Sequence, residues 1–186
     1  MASKAVSSLK WLAIPGVVIG YIVVSGLTGF CPTCVGIMDT VLGRSASQVA
    51  LGESSNIADL TARDLDGEPV GLDQFVGKPT IVELWATWCG PCRTQRDIMA
   101  ALAPELEGKV NVVALSIDSG ADVVRRHLAS HEAIGAELMA TPGVVAAMGN
   151  PAGIPAIGFV DARGELREVR MGVQSAEQIR KALKNL

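Results

Sequence analysis

The sequence predicts an α/β fold, a central mixed β-sheet flanked by helices, preceded by one apolar segment long enough to cross a membrane. Three observations lead to it. From about residue 57 onward, short β-branched runs alternate with segments of helical period. The last two of these runs are joined by a tight turn into an antiparallel hairpin, which makes the sheet mixed. Near the start, the twenty residues Trp11 to Phe30 carry no charge.

Taken in order, that apolar segment, "WLAIPGVVIGYIVVSGLTGF", would span a hydrocarbon core of about 30 Å as a helix rising ~1.5 Å per residue. It also explains a mean hydropathy of +0.35, high for a chain with a soluble domain. Pro15 and the glycines are tolerated better in membrane helices than in water. Lys4 and Lys10 precede the segment and the first charge after it is Asp39, so the positive-inside rule leaves the N-terminus in the cytoplasm. The competing reading is a cleaved signal peptide. The apolar run exceeds the usual ~7–15 residues of a signal core, and no good small-residue cleavage site follows it, which favours a retained anchor.

Residues 1–10 are thus read as a cytoplasmic N-terminus and 11–30 as the anchor in the bilayer. Residues 31–56 hold "CPTC", a short amphipathic stretch "VGIMDTVLGR" and a small-residue linker, and 57–186 form the globular domain. A formal charge of −3 supplies no basic patch, which argues against a nucleic-acid partner.

Within the domain, "IADLTARDLDGEPVGL" predicts a hairpin about its Asp-Gly turn. "PTIVELWA" suits a buried strand that runs straight into "TWCGPC". Ile98, Met99, Leu102 and Leu106 recur at helical intervals until "EGK". "VNVVALSID" is a second buried strand, and Asp122 to Leu138 is read as helix. "IPAIGFVDARGELREVRMG" predicts two strands across an Ala-Arg-Gly turn, and Ser175 caps a final helix.

The chemistry concentrates in the four cysteines, arranged as two C-x-x-C pairs. A strand ending in C-x-x-C that opens a helix is a redox signature. Cys89 would meet the unpaired N–H groups and positive dipole of the helix N-terminus, which favour a thiolate. Cys92, three residues on, would be more buried, so Cys89 is the expected nucleophile and Cys92 the resolving thiol. Pro91 fits the first turn, where an N–H has no partner anyway. Glu83 shares a strand face with Trp85, and a buried carboxylate there would exchange a proton with Cys92. The alternative is a carboxylate turned outward or paired with a lysine such as Lys78. Ile154-Pro155 at a strand start is a candidate cis peptide that would present the Ile154 backbone to an extended substrate; an ordinary trans proline is the other reading.

Together "DLTARDLDGEPVGLDQFVGKPTIVELWATWCGPCR", "ALSID" and "GIPAIGFVDARGEL" resemble the TlpA/ResA-type branch of the thioredoxin superfamily, membrane-tethered thiol-disulfide oxidoreductases outside the bacterial cytoplasm. The resemblance implies a thioredoxin-like fold, a nucleophilic Cys89, a resolving Cys92, a cis-Pro155 and no bound cofactor. It also implies contact of Trp88, Gly90, Pro91 and Ile154 with protein thiol or disulfide substrates, and an electron donor in the membrane or beyond it. The expected location is the cytoplasmic membrane, single-pass, with the catalytic domain on the periplasmic side. Gly90-Pro91 and Ile154 resemble reducing thioredoxins, which favours the reductant direction. Many members carry a glutamate three residues after the second cysteine and a proline soon after; this chain has Gln95 and Asp97 there. Glu83 instead resembles the buried aspartate of ordinary thioredoxins.

Cys31 and Cys34 have two readings, thiols without turnover at the membrane edge or a second redox pair that relays disulfides. A four-thiolate metal site is disfavoured by the 54 residues between Cys34 and Cys89. His127 and His131, at i and i+4 without a third ligand in register, are read as surface residues. Two other functions share this fold. A peroxidase would want T-x-x-C without the second cysteine at this spacing, and a tethered binding or chaperone module would keep the cysteines without turnover.

Overall fold

The computed structural model describes residues 56–186, which form a seven-stranded sheet with helices on both faces. The anchor 11–30, the Cys31–Cys34 pair and the linker lie outside the described residues; among the described ones no helix is long and apolar enough to cross a membrane. The strands are β1 (Thr61–Arg63), β2 (Pro69–Gly71), β3 (Thr80–Trp85), β4 (Asn111–Ser116), β5 (Ala136–Met139), β6 (Ala156–Val160) and β7 (Leu166–Met171). Their spatial order is β2-β1-β5-β4-β3-β6-β7. Strands β3, β4 and β5 run parallel, while β1, β2, β6 and β7 join antiparallel, so the sheet is mixed. The helices are α1 (Gly90–Leu106), α2 (Ala121–Leu128), α3 (Pro142–Ala147) and α4 (Ala176–Leu183).

Central strand β3 is buried at all six positions, as an apolar β-branched run covered on both faces requires. Ile81, Glu83 and Trp85 face the layer made by α1, α2 and α4, where Met99, Leu102, Val124 and Ile179 pack. Val82 and Leu84 face the opposite layer with Ile57, Val144 and Met148. The buried stripe of α1 is Cys92, Gln95, Arg96, Met99, Leu102 and Leu106, the i, i+3, i+4, i+7 spacing of one helix face. At the C-terminus the Ser175 hydroxyl accepts from Gln178 N while the Gln178 side chain accepts from Ser175 N, a capping box that starts α4 where the sequence places it.

The expected helix over Asp122–Leu138 is corrected. It ends at Leu128, and residues 136–139 are strand β5, parallel to β4 from Val113↔Ala136 to Ser116↔Met139. Gly135 explains the switch, because a side chain there would collide with the Val112 backbone. Helix α3, absent from the sequence reading, begins at a Thr141 cap followed by Pro142.

Candidate active site

Strand β3 ends at Trp85, and the chain turns through Ala86–Trp88 into the first turn of α1. Backbone bonds set this exit: Ile117 N donates to Trp85 O and Cys89 N to Ala86 O. The turn is also tied by a carboxylate. Asp118, 8% exposed, accepts from Thr87 N at 2.9 Å, from the Thr87 hydroxyl at 2.8 Å and from the Ser116 hydroxyl at 2.8 Å. Such charge-assisted bonds fix the loop that carries Trp88, whose side chain stands 69% exposed beside the dithiol.

Cys89 and Cys92 are joined as a disulfide. Cys89 is the N-cap of α1, and its sulfur accepts from Cys92 N at 3.1 Å. This sulfur therefore sits where the unpaired N–H groups of the helix converge, and the thiolate formed on reduction inherits the same stabilisation. Cys92 is wholly buried and Cys89 retains 5% exposure at the rim. Gly90 and Pro91 are exposed at the start of the helix.

The Ile154–Pro155 peptide bond is cis, and the Ile154 carbonyl oxygen lies 3.8 Å from Cys89 Sγ. Gly172 N donates to Pro155 O at 2.8 Å, which brings the loop after β7 beside the same strand start. That loop exposes Val173. It is held from below by Gln95, whose Oε1 accepts from Gln174 N at 2.6 Å in a fully buried setting.

Glu83 is fully buried, and neither carboxylate oxygen has a hydrogen-bond partner. It stands between Ala114 of β4 and Ile157 of β6, its partners in register, in the layer that also holds Cys92. Burial pushes its carboxyl up to about 8; Arg96 pulls the other way and Glu137 adds to the rise. The outward or lysine-paired arrangement does not occur. At this value the group exchanges a proton near neutral pH, which suits acid–base work at a thiol.

His127, read from sequence as a surface residue, is half-buried: its ring lies 5.4 Å from Trp85 and stacks on that of His131 at 4.0 Å. Burial, then the neighbouring His131, holds its imidazole below the usual value. His131 is exposed as expected, and among the described residues no group of three or more His, Cys, Asp or Glu is arranged to hold a metal.

The structure brings Cys89, Cys92, Trp88, Gly90, Pro91, Ile154 and Pro155 to one end of the sheet, at the carboxyl end of β3, with Glu83 inside that strand two residues before its end. Sequence reasoning overlooked Asp118, Arg96 and Glu137. A helical-wheel reading signals Arg96, which falls in phase with Cys92 and Met99 on the buried stripe.

Comparison with known proteins agrees with this geometry. Residues 54–169 match the family described as AhpC/TSA. The thioredoxin-like protein YneN of Bacillus subtilis is 27% identical over 142 residues, 75% of this chain and 83% of that protein. The thiol-disulfide oxidoreductase ResA of Bacillus thuringiensis is 29% identical over 131 residues, 66% of this chain and 72% of its relative. Among solved structures, a thiol:disulfide interchange protein of the thioredoxin family from Chlorobium tepidum superposes with a TM-score of 0.60 at 24% identity, covering 73% and 98% of the two chains. The chain belongs to the AhpC/TSA family and is a TlpA/ResA-like thiol-disulfide oxidoreductase of the thioredoxin superfamily.

Proposed function

We propose that the protein is a membrane-anchored, extracytoplasmic reductant of protein disulfides. The observation that carries the reading is the Cys89–Cys92 pair at the N-terminus of α1, with the Ile154 carbonyl beside one sulfur and a buried, proton-exchanging Glu83 in the layer of the other. In the reduced protein the Cys89 thiolate attacks a substrate disulfide, forming a mixed disulfide and releasing one substrate thiolate. Cys92 then gives its proton to Glu83 and attacks Cys89 Sγ. The Cys89–Cys92 bond closes, the second substrate thiolate leaves, and two electrons have passed to the substrate. Exposed Trp88 and Pro91 and half-buried Ile154 offer an apolar rim, with the Ile154 carbonyl beside Cys89, suited to an extended peptide. An extracytoplasmic electron donor returns the dithiol.

Residues 11–30 are the proposed single-pass anchor, with residues 1–10 inside and the domain from about residue 57 on the periplasmic side; Cys31 and Cys34 are a proposed second redox pair at the membrane edge. A Cys92→Ser protein expressed in cells tests the catalytic half. It should accumulate mixed disulfides through Cys89 with identifiable extracytoplasmic proteins, and an empty trap would refute the assignment. Resistance to alkaline carbonate extraction, with the domain open to protease in spheroplasts, tests the anchor. An active soluble form beginning beyond Gly26 would mean a cleaved signal instead.

A further inference from the structure

Across the sheet, Glu83 of β3, Ala114 of β4 and Glu137 of β5 stand in one register row, Glu83 opposite Ala114 and Ala114 opposite Glu137. Side chains in such a row share a face, and two strand spacings separate the carboxylate-bearing backbones by about 10 Å. Ala114 is small and leaves no bulky side chain between them. Arg96 comes down onto this row from the buried stripe of α1, one turn beyond Cys92.

Arg96 Nη2 donates to Glu137 Oε1 at 2.6 Å and Nη1 to Oε2 at 3.4 Å, with both side chains only 6% exposed. The guanidinium also lies 4.0 Å over the ring of Trp85, two residues from Glu83 on the same strand face. Glu137 takes a further bond from Ile134 N at 3.1 Å. A charge pair this deep is seldom justified by stability alone, since desolvating both ions offsets most of their attraction.

We propose that Arg96 and Glu137 form a self-compensating buried charge couple in which each partner offsets the field of the other at Glu83, so that both act as positioning residues for the proton that Cys92 releases. This rests on the reading of Glu83 as proton acceptor, but it concerns a property of Glu83 that can be read without turnover.

Burial is the largest influence on Glu83, and few other charged groups surround it. Helix α1 contributes Cys89, Cys92 and Arg96 to this layer, β5 contributes Glu137, and α2 contributes His127 behind Trp85. Strands β4 and β6 offer only Ala114 and Ile157 beside it. The cation favours the carboxylate of Glu83, and the anion favours its acid. A unit charge about 10 Å away, the spacing of the Glu83 and Glu137 backbones, displaces a titration by about one pH unit in a medium of effective dielectric near 20. Acting in opposite senses, the two charges offset one another at Glu83, whose burial remains the main reason it holds its proton.

Titration of the Glu83 carboxyl by 13C NMR in the oxidised protein, with Glu83→Gln to assign the signal, tests this directly. Glu137→Gln keeps an acceptor for Arg96 but removes the anion, and the Glu83 midpoint should fall by about one unit. Arg96→Gln should raise it by a similar amount, Arg96→Lys should restore it, and the double variant Arg96→Gln/Glu137→Gln should return near the starting value. Arg96→Gln leaves Glu137 unpaired and, where that variant does not fold, Glu137→Gln and the double variant carry the test. A Glu83 midpoint unmoved by Glu137→Gln would overturn the proposal. Single-turnover disulfide reduction against pH separates the two ideas. A rate profile that follows the NMR midpoint supports both, whereas a midpoint that moves under an unmoved rate profile upholds the couple and refutes Glu83 as the acceptor.

Discussion

Replacing Glu83 by glutamine removes a buried ionisable group while keeping its shape, and the pH dependence of stability should show it. The carboxyl titrates at about 8 in the folded protein against an ordinary value of 4.5. A group that holds its proton more tightly when folded favours the fold fully below the unfolded value, and that contribution is lost as pH rises through the folded one. At about 1.4 kcal/mol per pH unit, ionisation of the unfolded chain disfavours the wild-type fold by on the order of 3 kcal/mol at pH 7 relative to an uncharged side chain there. Differences in hydrogen bonding between acid and amide are independent of pH, so they cancel from the trend. Urea unfolding of the oxidised wild type and Glu83→Gln at pH 5, 6, 7 and 8 is the assay. The variant should gain steadily on the wild type across that range. Its disulfide reduction near neutral pH should meanwhile fall on the order of 100-fold through loss of the proton acceptor. A stability difference that stays flat from pH 5 to 8 would refute the buried, unpartnered state of Glu83 on which the reasoning depends.

Three further outcomes follow from the site. In the reduced protein, iodoacetamide should label Cys89 faster and at lower pH than Cys92, as read on Cys92→Ser and Cys89→Ser proteins; a more acidic Cys92 would reverse their roles. Gln95→Ala strands the buried Gln174 N–H and should destabilise the protein by about 1–3 kcal/mol, while Gln95→Glu keeps an acceptor and should retain the loop, as chemical denaturation would show. Asp118→Ala removes three bonds around Thr87 and Ser116 and should cost about 2–4 kcal/mol, with Trp88 fluorescence reporting a loosened loop; an unchanged midpoint would mean that backbone bonds suffice there.

Much of this was legible along the chain because its signals are local. Cys89 and Cys92 stand three apart on a helix start, Asp66-Gly67 marks the first hairpin and Ser175 caps the last helix, and each depends on neighbours within a turn. Strand alternation likewise placed Glu83 on the face of Trp85. Other features arise from residues far apart in sequence. Strand β5 was read as helix because its four residues become a strand through pairing with β4, and the Val112 backbone that Gly135 must clear lies over twenty positions earlier. The Arg96–Glu137 pair joins residues 41 apart, the Asp118–Thr87 bonds residues 31 apart, and the Gln95–Gln174 bond residues 79 apart. A polar residue in a one-dimensional pattern shows only that it must be paired or exposed. Which partner it finds, and therefore what charge the neighbouring carboxylate feels, depends on strand order and register, which are set by the packing of the whole sheet.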